Sequence, residues 1–121
     1  MQFDIDMRGE YQEIFKETRR LILSYPQMDE LKNAKQTSYS DEFGVVVMLR
    51  GSKNGFVLSF GRGIKLASKF PQLSGNGKTV RQLIVKNIDN LDLELIKKML
   101  EESFILGLEH NAIKELRAPL K

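Results

Sequence analysis

Phe43-Gly44-Val45-Val46-Val47-Met48-Leu49-Arg50, then Gly51-Ser52-Lys53-Asn54-Gly55, then Phe56-Val57-Leu58-Ser59-Phe60 together decide the fold. The first run is β-branched and continuous, the pattern of a strand buried on both faces. The middle residues are turn chemistry, and Asn54-Gly55 is expected to supply the positive-φ positions of a tight reversal. In the last run Phe56, Leu58 and Phe60 alternate with Val57 and Ser59. The two runs read as a β-hairpin.

Upstream the period is helical. Tyr11, Ile14, Phe15, Thr18, Leu21, Ile22 and Tyr25 recur at three- and four-residue spacing, which predicts one helix from Asp6 to Tyr25 stopped by Pro26. A second, short helix is expected over Met28–Ala34, and Lys35–Ser40 reads as a short strand. Downstream, Arg62–Phe70 reads as a turn or short helix, Gln72–Lys78 as a loop, and Val80–Lys86 as a strand. Asn90 or Asp92 can cap a last helix whose apolar stripe is Leu95, Ile96, Met99 and Leu100. Gly107 is expected to bend or end that helix, and the tail from Arg117 to Lys121 to fray. The order is α-α-β-β-β-loop-β-α. Tight turns force antiparallel pairing, which predicts an α+β two-layer sandwich: an antiparallel sheet of about four to five strands with N- and C-terminal helices packed on it.

A chain of 121 residues is the usual size of one domain, and 41% hydrophobic with 29% charged residues is an ordinary globular balance. It has no cysteine, which removes disulfides, thiolate nucleophiles and cysteine-held metal, and fits a cytoplasmic protein. The start, Met1-Gln2-Phe3-Asp4-Ile5-Asp6, lacks the basic and apolar regions of a secretory signal, and no apolar stretch is long enough to span a bilayer. Nineteen basic against 16 acidic side chains leave a net charge of +3, too weak a field to argue for nucleic acid. A sheet covered by one helical layer leaves a second face, which a homodimer could use if Val45, Val47 or Val57 stand on it.

The most motif-like polar segment is Leu73-Ser74-Gly75-Asn76-Gly77-Lys78-Thr79-Val80-Arg81. Its spaced glycines can turn backbone N–H groups toward an anion, with Lys78 and Arg81 adding charge. Gly61-Arg62-Gly63-Ile64-Lys65 holds the same ingredients, so Arg62, Gly75, Gly77, Lys78 and Arg81 are the candidate anion-binding residues. The segment is not a Walker A loop, because the earlier glycine is missing and a strand follows. The competing reading is a connecting loop whose glycines serve backbone geometry.

Asp6, Glu10, Glu13 and Glu17 fall on one stripe of the first predicted helix, where a carboxylate ridge could take a hard cation. The competing reading is a solvated face paired with Lys16, Arg19 and Arg20. His110, the one histidine, has no catalytic partner near it in sequence and reads as a surface residue. No nucleophile–base pair or cofactor fingerprint is visible, so a non-catalytic binding or accessory module without a cofactor is expected, its ligand or partner bearing phosphate or carboxylate.

Arg20-Leu21-Ile22-Leu23-Ser24-Tyr25-Pro26, Glu30-Leu31-Lys32 and Thr37-Ser38-Tyr39 resemble the opening of the YdhG-like family of bacterial domains of unknown function. Phe56-Val57-Leu58-Ser59-Phe60 with Gly63 and Leu66 resembles its middle. The Gly-x-Gly-Lys-x-x-Arg pattern from Gly75 to Arg81 resembles its most recognisable segment. The resemblance spans about residues 10–105 and implies a small α+β fold. One branch of that family is described as frataxin-like iron chaperones. A transfer from that branch would make iron the cargo, held by Glu10, Glu13 and Glu17.

Overall fold

The computed structural model describes residues 1–117; the expectation for the tail beyond Arg117 lies outside them. Five strands form one antiparallel meander in the order β1 (Asp29–Lys32), β2 (Thr37–Asp41), β3 (Gly44–Ser52), β4 (Gly55–Phe60) and β5 (Arg81–Val85). Among the described residues four α-helices accompany the sheet: α1 (Gln2–Arg8), α2 (Gln12–Leu23), the single turn α3 (Gly63–Leu66), and α4 (Leu93–Leu116). A 3₁₀ turn at Ile88–Asn90 precedes α4, whose N-cap is Asp92, accepting from the Leu95 N–H at 3.0 Å. The molecule is an α+β sandwich, as expected.

Cross-strand register assigns the two faces. Tyr39, Val47 and Phe60 stand in one row, with Leu49, Leu58 and Leu83 in the next. These rows meet Ile14, Phe15 and Ile22 of α2 and Ile96, Met99 and Leu100 of α4 in one apolar cluster. Phe15 is the hub, its ring 5.7 Å from Phe56 and 5.5 Å from Phe3. The opposite face carries Leu31, Met48, Arg50, Ile84 and Val57.

Four local expectations are corrected. The helix predicted from Asp6 to Tyr25 is two helices, broken at Gly9-Glu10-Tyr11, where the chain turns so that α1 lies across β3 and Tyr11 faces Phe56 at 6.3 Å. Met28–Ala34 is not a helix, because Asp29–Lys32 pairs with β2 through a turn in which Asn33 Oδ1 accepts from the Lys35 and Gln36 amides. Helix-tolerant residues yield there to a sheet edge. β3 is not buried on both faces: Val45 is 40% exposed and Met48 half-buried, whereas β4 is buried throughout. Val46 and Val47 are both fully buried because a bulge opposite Tyr39 and Ser40 makes Val46 the extra residue. Finally, Asn54 keeps a negative φ, and the turn's positive φ of +139° falls on Gly55 alone.

Asp6 pins α1 to the hairpin. Its Oδ1 accepts from Gln2 Nε2 at 2.9 Å and from the Gly51 N–H at 3.0 Å, while the buried Oδ2 has no donor. Burial raises the carboxyl above its ordinary 3.8, against the hydrogen bonds and the Arg50 charge that lower it. A folded value above the unfolded one means protonation favours folding. That contribution is complete below pH 3.8 and is lost as pH rises through the folded value. Asp6→Asn is therefore expected to raise stability by about 1 kcal/mol at neutral pH and to leave it unchanged near pH 3, in urea titrations at both values.

Candidate functional site

Where β4 ends, the chain must pass under the start of β3 and turn back along β5, which leaves no room for side chains. A Cβ on Gly61 would lie 2.5 Å from the Val45 carbonyl oxygen, and one on Gly63 would collide with the Arg81 backbone. Gly61 and Gly63 serve this close crossing, and the Gly61 N–H is spent on the Val46 carbonyl at 3.0 Å. Ile64 N–H donates to the Thr79 carbonyl at 2.8 Å and locks α3 against the approach to β5.

Arg62, between those glycines, turns inward. Its Nη1 and Nη2 donate to Asp41 Oδ2 and Oδ1 at 3.0 and 2.9 Å, and Nη1 also donates to the Ser103 carbonyl at 2.9 Å. The Asp41 side chain is 5% exposed and that of Arg62 16%. Burial works against the carboxylate, but the Arg62 hydrogen bonds, the Phe43 and Gly44 amides and the guanidinium charge outweigh it and hold Asp41 below its ordinary value. The guanidinium lies on α4 at Gly107, where an added Cβ would stand 2.9 Å from Arg62 Cζ. Gly107 thus does not end the helix, which runs on to Leu116; it is the notch that receives Arg62.

Above this ion pair opens a cleft of about 490 Å³. Phe43, Ile64 and Leu106 form its apolar walls, and Arg62, Lys65, Thr79, His110, Asn111 and Lys114 its polar lining, with Glu42 the one carboxylate. Lys65 comes from α3; His110 and Lys114 stand one turn apart on the outer half of α4. Among the described residues neither lysine is in an ion pair, so the positive charge of the cleft is theirs while Asp41 offsets that of Arg62.

Of the residues singled out for an anion, only Arg62 lines this cleft. Arg81 folds over its own loop, its Nη1 donating to the Gly77 and Val80 carbonyls, and Ser74 bridges to Gln82 on the outer edge of β5. Gly75 takes a positive φ of +113°, and Lys78 is exposed. Lys65, Asn111, Lys114 and the neighbouring His110 were not grouped by sequence reasoning. Their signal was available on α4: Leu106, His110 and Lys114 recur every four residues, with Gly107 and Asn111 beside them.

The acidic ridge is not one stripe. Asp6 is buried in α1, Glu10 lies in the turn, and Glu17 on α2 accepts from Arg20 at 2.9 Å. Glu10 and Glu13 share a shallow groove with Lys86. Among the described residues no three His, Asp or Glu side chains converge on a metal-sized space, and no helix is long and apolar enough to cross a membrane.

A second polar network ties α2 to the sheet edge. Arg19 donates to Glu30 through Nε at 2.7 Å and Nη2 at 3.1 Å, and the buried Tyr39 hydroxyl donates to the same carboxylate at 2.8 Å. Burial and the Glu30 charge push the Tyr39 phenol well up, so it stays a donor. Every member has a structural partner, and Arg19 also borders a groove with Lys16 and Arg20.

No known protein family, curated protein or solved structure matches the chain.

Proposed function

We propose that this chain is a non-catalytic binding module that accepts an anionic group, phosphate or carboxylate, in the cleft between α3 and the outer half of α4. The observation that carries this reading is the convergence of Lys65 and Lys114, from elements far apart in sequence, on one concave space with, among the described residues, a single opposing carboxylate. Thr79 and Asn111 add hydrogen-bonding groups that can orient a bound anion. Arg62 contributes less as a charge than as a fixed floor, since Asp41 and the Ser103 carbonyl hold its guanidinium still.

Amide NMR titration with inorganic phosphate and acetate tests the reading. Shifts are expected at Ile64, Lys65, Thr79 and Asn111, and reversing Lys65→Glu or Lys114→Glu is expected to weaken binding about tenfold or more. Shifts confined to Gly75, Gly77, Lys78 and Arg81 would put the anion on the loop instead. An unaltered spectrum, or an affinity indifferent to both reversals, would reject an anion site.

A further inference from the structure

Resting on that reading, we infer that the cleft takes an amphiphilic anion, a phosphate or carboxylate carried on an aromatic or short alkyl body, in preference to a free inorganic ion. A site built for a bare phosphate encloses it with donors that have no other partner, such as convergent backbone amides or an uncommitted guanidinium. Among the described residues this cleft shows no uncommitted guanidinium. Along its edge the Gly61 N–H is engaged with the Val46 carbonyl, the Ile64 N–H with the Thr79 carbonyl and the Leu66 N–H with the Arg62 carbonyl. Both terminal nitrogens of Arg62 are used, and its charge is already matched by Asp41. The positive charge left for the anion is that of two lysines, which are themselves exposed. Solvated ammonium contacts of that kind are weak.

The apolar lining supplies what the charges lack. Phe43 in the turn before β3, Ile64 on α3 and Leu106 on α4 bound the cleft from three segments. Ile64 is 48% exposed, and Phe43 and Leu106 are half-buried, so each has surface that an inserted body would remove from water. The volume suits a small organic molecule. Apolar walls below and lysines at the margin are the complement of a molecule with a greasy body and one charged end. The shared head-group chemistry is a compact oxyanion, whether phosphate or carboxylate.

Phenyl phosphate and benzoate, titrated beside inorganic phosphate, acetate and uncharged benzyl alcohol, test this by amide NMR. The aromatic anions are expected to bind at least about tenfold tighter than phosphate and acetate, with shifts extending to Phe43 and Leu106. Ile64→Ser, at an exposed site where folding is undisturbed, is expected to weaken the aromatic anions and leave phosphate unchanged. Lys114→Glu is expected to weaken both classes. Phosphate binding as tightly as phenyl phosphate in the cleft would overturn the amphiphile and leave the anion reading standing. Benzyl alcohol binding as well as benzoate, or no binding by any of the five, would overturn both.

Discussion

Replacing Asp41 by alanine is expected to destabilise the protein by about 3–5 kcal/mol, the cost of leaving one member of a buried ion pair without its partner. The carboxylate accepts two bonds from Arg62 and one from the Phe43 amide at 2.9 Å, so its removal orphans donors on two segments together. It also frees the guanidinium that holds the Ser103 carbonyl, and with it the contact between α4 and the end of β4. Urea denaturation of the variant at pH 7 measures the loss; a change below about 1 kcal/mol would mean that the pair is solvated. A paired control separates the pair from its geometry. Asp41→Leu with Arg62→Met is expected to recover most of the loss, because apolar side chains remove both charges. The effect carries a pH signature. The folded Asp41 value lies below the unfolded 3.8, so its stabilisation is present above that pH and is lost as pH falls through the folded value. The gap between the parent and Asp41→Ala should therefore narrow on acidification.

Gly63→Ala is expected to cost about 3 kcal/mol or more, or to prevent folding. The new methyl would collide with the Arg81 amide nitrogen and stand 2.6 Å from its Cβ, and backbone cannot rotate aside as a side chain can. Relief requires β5 to part from β4 at the Phe60–Arg81 pair. Gly77→Ala makes the matched control: the nearest neighbour of its added methyl is the Val80 carbonyl oxygen at 3.5 Å, and its φ is not in the left-handed region. A change within about 0.5 kcal/mol is expected there. Equal losses at both positions, read by thermal or urea unfolding, would contradict the close crossing at Gly63.

These two glycines also show how far the sequence could be read. Gly61-Arg62-Gly63 and Gly75-Asn76-Gly77 look like equivalent anion loops on paper, yet one is a backbone crossing and the other an exposed turn. The difference depends on Val45 and Arg81 lying against the first of them, which no local pattern encodes. The hairpin from Phe43 to Phe60, the apolar stripe of α2 and the Asp92 cap were legible because neighbours within a few residues determine them. β1 was not: Asp29-Glu30-Leu31-Lys32 has no strand periodicity, and becomes a strand only because β2 offers a ladder and Arg19 and Tyr39 fix Glu30. The cleft was half-legible. Its α4 residues form a visible four-residue repeat, while their meeting with Lys65 and Phe43 follows from a contact between Arg62 and Gly107, distant along the chain. Gly107 was the available clue, since a glycine inside a helix often marks such a contact.

The back wall of the cleft is thinly anchored. Beyond Gly107, every described residue of α4 except Asn111 is exposed, so its last turns are held from one side only. Such a segment opens by local unwinding at a fraction of the free energy needed to unfold the sheet. The cleft therefore exists only while that helix end is wound, so an occupant would lose affinity to the unwound fraction and, by mass action, suppress the unwinding. Amide hydrogen exchange at His110 to Lys114 would register occupancy as slowed exchange, while the β3–β4 ladder kept its own rate.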